Sequence, residues 1–414
     1  MHAVVGRRRE RSGGTAPYDA ACMPTETQRA PATSASRATG DLALVMSGGG
    51  ARAAYQVGFL SAIADAAPDF RPQIVTGVSA GAINAAFFGA RRGTFGHLCG
   101  DLAALWRGLR AEDVMDASAT SMSRLAIKWG LRLATGGRYR GRGLRSLIDT
   151  APLRRFLMGA LDSKDGSLPG IAEKIEAGEL DALALTASSY TSGGTVTFCQ
   201  GRSVKDWERP NRRSRQVALT VEHVMASSSL PLFFPAIQLD DGWYGDGGIR
   251  LTAPLSPAVH LGAQRILAIS TRTSNPVFTP AGADAPYPPP SQIGSSLMNA
   301  VFLDQFDGDA LRLATTNDLI NRLPEADRGG LRPIDLQVFR PSQDLGRLAN
   351  DYEARLPKAL RFMTRGTGTL ETRSNDFLSM IMFQHDYVAR LIEIGETDAR
   401  AKMPALLRFL TGTP

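Results

Sequence analysis

The sequence predicts an α/β fold of three layers, in which a mixed, mainly parallel sheet lies between helices and a mainly helical C-terminal region packs on it. The first observation is a pair of strand-turn-helix units, whose strand-like runs are Leu42–Met46 and Gln73–Thr76. The second is the return of buried-strand patterns at Asp181–Tyr190 and Arg265–Ser270, before helical periodicity dominates. Strands that alternate with helices are typical of parallel sheets covered on both faces.

Composition divides the chain into four parts. Residues 1–40 are basic and rich in Pro, Ala, Ser and Thr, and they are predicted to be a disordered tail without the apolar core of an ordinary secretory signal. Residues 41–272 are predicted to form the main domain. Residues 273–292 are proline-rich and predict a linker, and residues 293–414 predict a mainly helical region.

The charge balance narrows the classes of partner. The formal net charge is +7, which indicates either a bias in composition or attraction to anionic lipid head groups at a membrane surface. No recognised nucleic-acid-binding module accompanies the charge, so nucleic acid is not expected. No apolar run approaches the roughly 18 residues that span a bilayer, so any membrane contact is expected to be peripheral. Three scattered cysteines predict reduced thiols and a cytoplasmic protein.

The second glycine-marked turn has the pattern of a nucleophile elbow. Its sequence, Gly77-Val78-Ser79-Ala80-Gly81, stands between a strand-like run and an Ala-rich helical run. Small residues on either side of Ser79 allow the sharp bend, which presents the hydroxyl at the start of a helix. The alternative is an ordinary connection between a strand and a helix, in which Ser79 is incidental.

The first glycine-marked turn contains three consecutive glycines, and their backbone N–H groups can form an anion-binding nest. One interpretation is a dinucleotide phosphate cradle, because Gly48-x-Gly50-x-x-Ala53 is a loose match to that motif. The acidic residue which that motif needs at the end of the next strand is absent, and Ser79 lies there instead. This favours an oxyanion hole. Its predicted residues are Gly48, Gly49, Gly50, Ala51 and Arg52, the last as a brace for the loop.

A third motif supplies a carboxylate. Asp241-Gly242 predicts a hairpin turn between two short strands, and Asp246 then ends the second strand. Gly247 and Gly248 follow and leave room around the carboxyl group. The alternative is a second Asp-Gly turn without a catalytic role.

A serine hydroxyl needs a proton acceptor, and two acceptors are open. A triad would use Ser79, Asp246 and His385, although His385 lies within a predicted helix, Asn375–Ile394. A dyad would use Asp246 alone, since burial raises the pKa of a carboxyl group and improves it as a base.

The three motifs together resemble the patatin-like phospholipases, over roughly Leu42 to Ser270. The match rests on Gly48–Arg52, Gly77–Gly81 and Asp246–Gly248, and Ala53 departs from a family pattern that often has glycine there. The resemblance implies a patatin-like catalytic domain over residues 41–272 and a Ser79–Asp246 dyad. It also implies hydrolysis of lipid acyl esters, such as phospholipids or lysophospholipids, through an acyl-serine intermediate. No metal or other cofactor is expected.

Other segments have less specific patterns. Met122–Leu133 and the basic Arg138–Arg142 predict a helix and a cap, or a solvated loop. The apolar loop Ser228–Pro235 is expected either to line an acyl pocket or to pack in the core. Helices are predicted at Gln216–Ser227 and Ile293–Arg322. The remaining predicted elements are a strand at Pro333–Phe339 on the sheet edge and an arginine cluster at Arg209–Arg215.

Overall fold

A computed structural model describes residues 42–116, 148–273 except 232, 289–366 except 303 and 304, and 375–412, with isolated positions at 123, 127, 130, 131, 134–136 and 287. Residues Thr39–Pro414 form one compact unit. The predicted tail, the basic segment Arg138–Arg142, most of Met122–Leu133 and most of the linker 273–292 lie outside the described residues.

Ten strands form one sheet in this part of the chain. They are β1 (Leu42–Met46), β2 (Ile74–Val78), β3 (Ala182–Ser189), β4 (Thr195–Gly201), β5 (Glu208–Arg209), β6 (Arg212–Gln216), β7 (Ile237–Leu239), β8 (Gly242–Asp246), β9 (Arg265–Ile269) and β10 (Asp335–Phe339). Their spatial order is β10-β9-β1-β2-β3-β4-β6-β5, and β8 joins β3 and β7 outside that order. The predicted strand near Pro333–Phe339 is confirmed as the edge strand β10.

Helices cover both faces of the sheet. Those before the last edge strand are α1 (Ala54–Ala66), α2 (Ala80–Ala90), α3 (Phe95–Gly108), α4 (Ala111–Val114), α5 (Ala151–Ala160), α6 (Pro169–Ala177), α7 (Val221–Ser227), α8 (Ser256–His260), α9 (Pro290–Phe302) and α10 (Gln305–Arg322). Those after it are α11 (Leu345–Asn350), α12 (Lys358–Gly366), α13 (Asp376–Ile381), α14 (His385–Ala401) and α15 (Met403–Thr411).

Strand β1 shows why the fold has three layers. Successive side chains of a strand point to opposite faces. Leu42, Leu44 and Met46 enter the larger apolar core, whereas Ala43 and Val45 enter a second core on the other face. All five are buried, as expected for a parallel strand between two layers of helices. The prediction of a mixed, mainly parallel sheet with a helical C-terminal region is confirmed.

The pairing of β3 brings two strand ends together. Strand β4 occupies one edge of β3 from Ala182 to Ser188. The other edge is shared: β2 runs parallel to β3 and ends with Val78 opposite Thr186, whereas β8 runs antiparallel and ends with Asp246 opposite Ala187. Two strands therefore approach each other along one edge and end at neighbouring positions.

Two helix predictions are wrong in their extent. The helix predicted at Gln216–Ser227 begins only at Val221, because Gln216 ends β6 and pairs with Cys199 of β4. The helix predicted at Asn375–Ile394 is interrupted after Ile381, so that two helices replace one and His385 begins the second. In the first case, strand pairing with β4 overrides the local helical pattern.

The C-terminal region is part of the same packing. Helix α14 packs along α1, the helix that follows the first glycine-marked turn. Helix α13 contacts the short 3₁₀ turn Gly50–Ala53 at the start of that helix. Among the described residues, no helix combines the length and apolar character needed to cross a membrane.

Candidate active site

Ser79 sits at a strained bend between β2 and α2. Its φ is 55° and its ψ is −130°, a conformation that L-residues rarely adopt. The bend brings Gly77 against Gly81: a Cβ on Gly77 would lie 2.3 Å from the Gly81 carbonyl oxygen. Side chains at these positions are therefore excluded. The predicted strand-to-helix elbow is present, and Ser79 is 5% exposed.

Three consecutive serines at the end of α7 hold the elbow and Asp246 in place. The Ser227 hydroxyl accepts from the Ser79 N–H at 3.0 Å and donates to the Thr186 carbonyl at 2.7 Å. The Ser228 hydroxyl donates to the Ser79 carbonyl at 3.0 Å. The Ser229 carbonyl accepts from the backbone N–H of Asp246 at 2.8 Å. One short segment thus fixes the backbone of both residues. No sequence motif marks Ser227, and its small size is the only signal of this role.

Asp246 is completely buried beside Ser79. Its Oδ1 accepts from the Gly248 N–H at 2.8 Å, whereas its Oδ2 has no hydrogen-bond partner among the described residues. Burial raises the pKa of the carboxyl group to about 7. The Ser79 hydroxyl and the Gly248 N–H lower that pKa, but by less than burial raises it. Ser79 and Asp246 both line the same cavity.

The first glycine-marked turn lies against Ser79. A Cβ on Gly48 would lie 2.9 Å from the Cβ of Ser79 and 3.6 Å from its Oγ. Gly49 and Gly50 have φ values of 142° and 56°, which glycine adopts without strain. The Thr271 hydroxyl, just past β9, donates to the Gly48 carbonyl at 2.6 Å. Because the C=O and N–H of a trans peptide point in opposite directions, this bond turns the Gly49 N–H away from Thr271.

Arg52 ties this loop to the C-terminal region. Its side chain is buried, and its guanidinium group donates to the Ser379 hydroxyl and pairs with the Asp376 carboxylate of α13. Its backbone N–H donates to the Gly49 carbonyl at 3.2 Å and is therefore occupied within the turn. Arg52 lies where a brace is expected, and its guanidinium group points to α13.

A buried polar chain joins the elbow helix to the glycine loop. The Trp106 indole N–H donates to Asn84 Oδ1 at 2.8 Å, and Asn84 Nδ2 donates to Gln56 Oε1 at 3.0 Å. Gln56 Nε2 then donates to the carbonyls of Ser47 and Ile269, at 2.9 and 3.1 Å. The chain fixes α1, α2, α3 and the end of β1 relative to one another.

Ser79 and Asp246 line an apolar cavity. Its lining comes from α3 to α5, from the loop after α7 and from the C-terminal region: Leu105, Trp106, Leu109, Val114, Leu153, Phe156, Leu230, Phe234, Met380, Ile381 and Phe383. Leu230 and Phe234 belong to the loop for which an acyl pocket was one of two predictions. No sequence pattern predicts the wall that the C-terminal region contributes. This wall lies close to the glycine loop, since the Met380 carbonyl oxygen would lie 2.1 Å from a Cβ on Gly50.

The described histidines lie away from this cavity. His97 is exposed beside Asp101, and His223 caps α7 through Thr220. The His260 ring stacks on Trp207, with ring centroids 4.4 Å apart. Nδ1 of His385 lies 2.6 Å from the Arg107 carbonyl. His2 is outside the described residues. None of these four side chains lines the cavity that contains Ser79.

Solved structures with similar architecture are remote in sequence. VipD from Legionella pneumophila is 11% identical, covers 86% of this chain and 67% of its own, and has a TM-score of 0.33. Human GIVD cytosolic phospholipase A2, solved with methyl gamma-linolenyl fluorophosphonate, is 11% identical over 90% of this chain, with a TM-score of 0.44. This chain spans 59% of that human chain. No curated protein matches the sequence.

The sequence profile described as patatin-like phospholipase matches residues 44–259, which is more than half of the chain. The matched region contains both glycine-marked turns and Asp246. It also contains strands β2, β3 and β8, whose pairing brings Ser79 and Asp246 together. The chain therefore belongs to the patatin-like phospholipase family.

Proposed function

We propose that this protein is a lipid acyl hydrolase in which Ser79 is the nucleophile and Asp246 is the base that activates it. One observation carries the proposal: a buried carboxylate, whose Oδ2 has no hydrogen-bond partner in the part of the chain that the structure describes, lines the same apolar cavity as a strained serine. An ordinary Asp-Gly turn would leave its carboxylate in solvent. A pKa of about 7 suits a group that must accept and return a proton near neutral pH.

In the acylation step, Ser79 Oγ attacks the carbonyl carbon of the ester while its proton passes to Asp246 Oδ2. The carbonyl oxygen becomes an oxyanion, and we assign the N–H groups of Gly49 and Gly50 as its donors. Preorganised donors of this kind each contribute about 3 kcal/mol to transition-state stabilisation. Collapse of the tetrahedral intermediate breaks the ester C–O bond, and Asp246 gives its proton to the departing alcohol.

In the deacylation step, water attacks the acyl-Ser79 ester. Asp246 accepts the proton of the water as the new C–O bond forms. The second intermediate then releases a fatty acid and returns the proton to Ser79 Oγ. The same carboxylate serves both half-reactions, which fits a site without a neighbouring histidine among the described residues.

The cavity supports an acyl chain as the group held beside Ser79. Its walls are aliphatic and aromatic side chains, with Ser228 as a further polar lining residue. Transfer of apolar surface from water to such walls contributes about 25 cal/mol per Å² to binding. Phospholipids and lysophospholipids are the proposed substrates.

Three rival functions are less well supported. A Ser-His-Asp esterase would need a histidine beside the dyad, and His385 instead bonds the Arg107 carbonyl. A dinucleotide-binding enzyme would need an acidic residue at the end of β2 to bind the ribose, and Ser79 follows β2 instead. A noncatalytic lipid carrier would not need the strained Ser79.

The test is fatty-acid release from a panel of phospholipid and lysophospholipid vesicles. Wild type and His385→Ala are expected to hydrolyse at least one lipid at similar rates, whereas Ser79→Ala and Asp246→Asn lose at least about 10³-fold in kcat. Full activity in Asp246→Asn together with loss in His385→Ala would replace the dyad with a triad. Inactivity of wild type on every lipid, with nucleotide binding by calorimetry, would support the phosphate cradle.

A further inference from the structure

Helix α9 has an unusual composition for a helix on the protein surface. Its thirteen residues, PSQIGSSLMNAVF, include no charged side chain. Ile293 and Leu297 are 43% and 59% exposed, although both are large and apolar. Soluble helices normally present charged side chains to water opposite their apolar face. The outward face of α9 therefore lacks the charges that usually keep such a surface in water.

The inward face of α9 fixes its position next to the candidate site. Ser295 is buried, and Asn299 donates to Asp376, the residue that also pairs with Arg52. The helix packs against α13 and against the 3₁₀ turn Gly247–Arg250 that directly follows Asp246. Helix α9 is thus in contact with the turn that follows Asp246 and with the helix that holds Arg52 and lines the cavity.

An apolar stripe runs along α9 to the wall of the cavity. Ile293, Leu297 and Val301 are spaced by four residues and so share one side of the helix. Val301 packs into a cluster whose centre is Leu230 and Met380, and both of those residues line the cavity. Phe233, Phe234, Ile249 and Phe377 are further partly exposed members of that cluster. The apolar surface is therefore continuous from the exposed helix to the cavity.

We propose that α9 is the membrane-docking element of the protein, with Ile293 and Leu297 inserted into the interface of a lipid bilayer. The choice of a lipid surface rests on the proposed function. Ser79 and Asp246 are both buried, so an acyl chain must pass from the bilayer into the cavity without crossing water. A stripe that leads from Leu297 to the cavity wall provides that passage. Helices with an apolar face lie in membrane interfaces in this way.

Charge near the helix sets the preferred lipid. Arg250 is exposed in the 3₁₀ turn against which α9 packs. A cation beside an inserted apolar helix lies at the depth of the head groups, where anionic lipids attract it. The arginine cluster at Arg209–Arg215 is a weaker candidate for docking, because Arg213 and Arg215 already pair with Asp241.

Binding of the protein to lipid vesicles tests whether α9 docks on a membrane. Binding is measured in a Ser79→Ala background so that no lipid is hydrolysed. The double variant Ile293→Ser/Leu297→Ser is expected to lose at least about tenfold in partition onto vesicles of phosphatidylcholine with phosphatidylglycerol. The matched control is Leu311→Ser/Leu319→Ser on α10, whose leucines are 69% and 57% exposed on a helix that carries charges. It is expected to bind like the parent protein.

Arg250→Gln is expected to reduce the advantage of anionic over zwitterionic vesicles by about fivefold. In an otherwise wild-type chain, Ile293→Ser/Leu297→Ser is expected to hydrolyse a monomeric ester, p-nitrophenyl butyrate, at the wild-type rate. Retained hydrolysis with lost binding supports docking through α9. If wild type hydrolyses neither this ester nor vesicle lipids, the proposed function fails while the binding measurement still stands.

A second measurement does not depend on loss of binding. The difference in fluorescence emission between Leu297→Trp and wild type reports the introduced tryptophan. Its emission is expected to be that of a solvent-exposed indole, and to shift to the blue when vesicles are added. Emission that is already blue-shifted without lipid would mean that another part of this chain, or a second copy, covers α9. That result would overturn the proposal, as would equal vesicle binding by the α9 and α10 double variants.

Discussion

Ser79 directly follows β2, and Asp246 is the last residue of β8. The ends of these two strands meet head to head along one edge of β3. Val78 lies opposite Thr186, and Asp246 lies opposite Ala187, the next residue of β3. The closeness of hydroxyl and carboxylate is thus set by backbone hydrogen bonds of the sheet. The two residues are therefore positioned by the central sheet and not by a loop alone.

The rate of hydrolysis is expected to depend on the ionisation of Asp246. Because burial raises its pKa to about 7, the carboxyl group is protonated and inactive as a base below that pH. kcat/KM for a monomeric ester should therefore rise with pH and level off above a midpoint near 7. A rate that is constant between pH 5 and 9 would remove Asp246 as the base.

The same pKa affects the stability of the fold. Asp246 has a usual pKa of 3.8 and a folded value of about 7, so the folded state binds its proton more tightly than the unfolded state. The contribution of Asp246 to the free energy of unfolding is therefore largest below about pH 4, and it falls as pH rises towards 7. Asp246→Asn removes that loss and should stabilise the protein at pH 8 by a few kcal/mol, at most about 4 kcal/mol.

Urea unfolding at pH 8 and pH 4.5 measures this gain, which should be smaller at pH 4.5. The control is Asp165→Asn, since Asp165 is exposed and hydrogen bonds from Ser167 lower its pKa. No gain at pH 8 is expected there. An Asp246→Asn protein that is less stable than wild type at pH 8 would contradict the prediction.

Asp376 is expected to position the glycine loop through Arg52. Asp376→Ala leaves a buried guanidinium group without its carboxylate, which costs about 3–5 kcal/mol of stability. A loop that has lost its brace should lower kcat about tenfold while KM changes little. Asp376→Asn keeps an acceptor and should restore part of kcat.

Steady-state kinetics on p-nitrophenyl butyrate separates kcat from KM in these variants. Glu393→Gln is the control, because its pair with Arg390 is exposed and contributes at most about 1 kcal/mol. An Asp376→Ala enzyme that is folded and has wild-type kcat would show that Arg52 does not need this partner.

Asn84 is expected to contribute strongly to the stability of the fold around the site. Asn84→Leu leaves the Trp106 indole N–H and Gln56 Oε1 without partners in a buried region, and should destabilise the fold by about 2–4 kcal/mol. Denaturant unfolding measures the loss. In the double variant with Trp106→Phe, the loss should be smaller than the sum of the single losses. Strict additivity would indicate that the two side chains act independently.

The motifs of the site could be predicted because their information is local. The bend at Ser79 needs small neighbours at Gly77 and Gly81, and these are visible in five consecutive residues. The hairpin at Asp241-Gly242 likewise follows from turn chemistry, and β7 and β8 form it. The fold class followed from two strand-turn-helix units and is confirmed by the parallel pairing of β1 with β2.

The remaining parts of the site depend on contacts between distant residues. Arg52 and Asp376 are separated by 324 positions, and no local pattern links them. The break between α13 and α14 places Met380 and Phe383 in the cavity wall, yet Met382-Phe383-Gln384 contains neither glycine nor proline to mark it. Ser227 has its role only because β3 places the Thr186 carbonyl within its reach.

Labelling by a fluorophosphonate probe, followed by peptide mapping over a range of pH, tests the dyad most directly. The dyad predicts a single adduct on Ser79, absent in Ser79→Ala, that forms at a rate rising with pH around a midpoint near 7. It also predicts a sharply reduced rate in Asp246→Asn. An adduct on another residue, or labelling of Asp246→Asn at the wild-type rate, would contradict it.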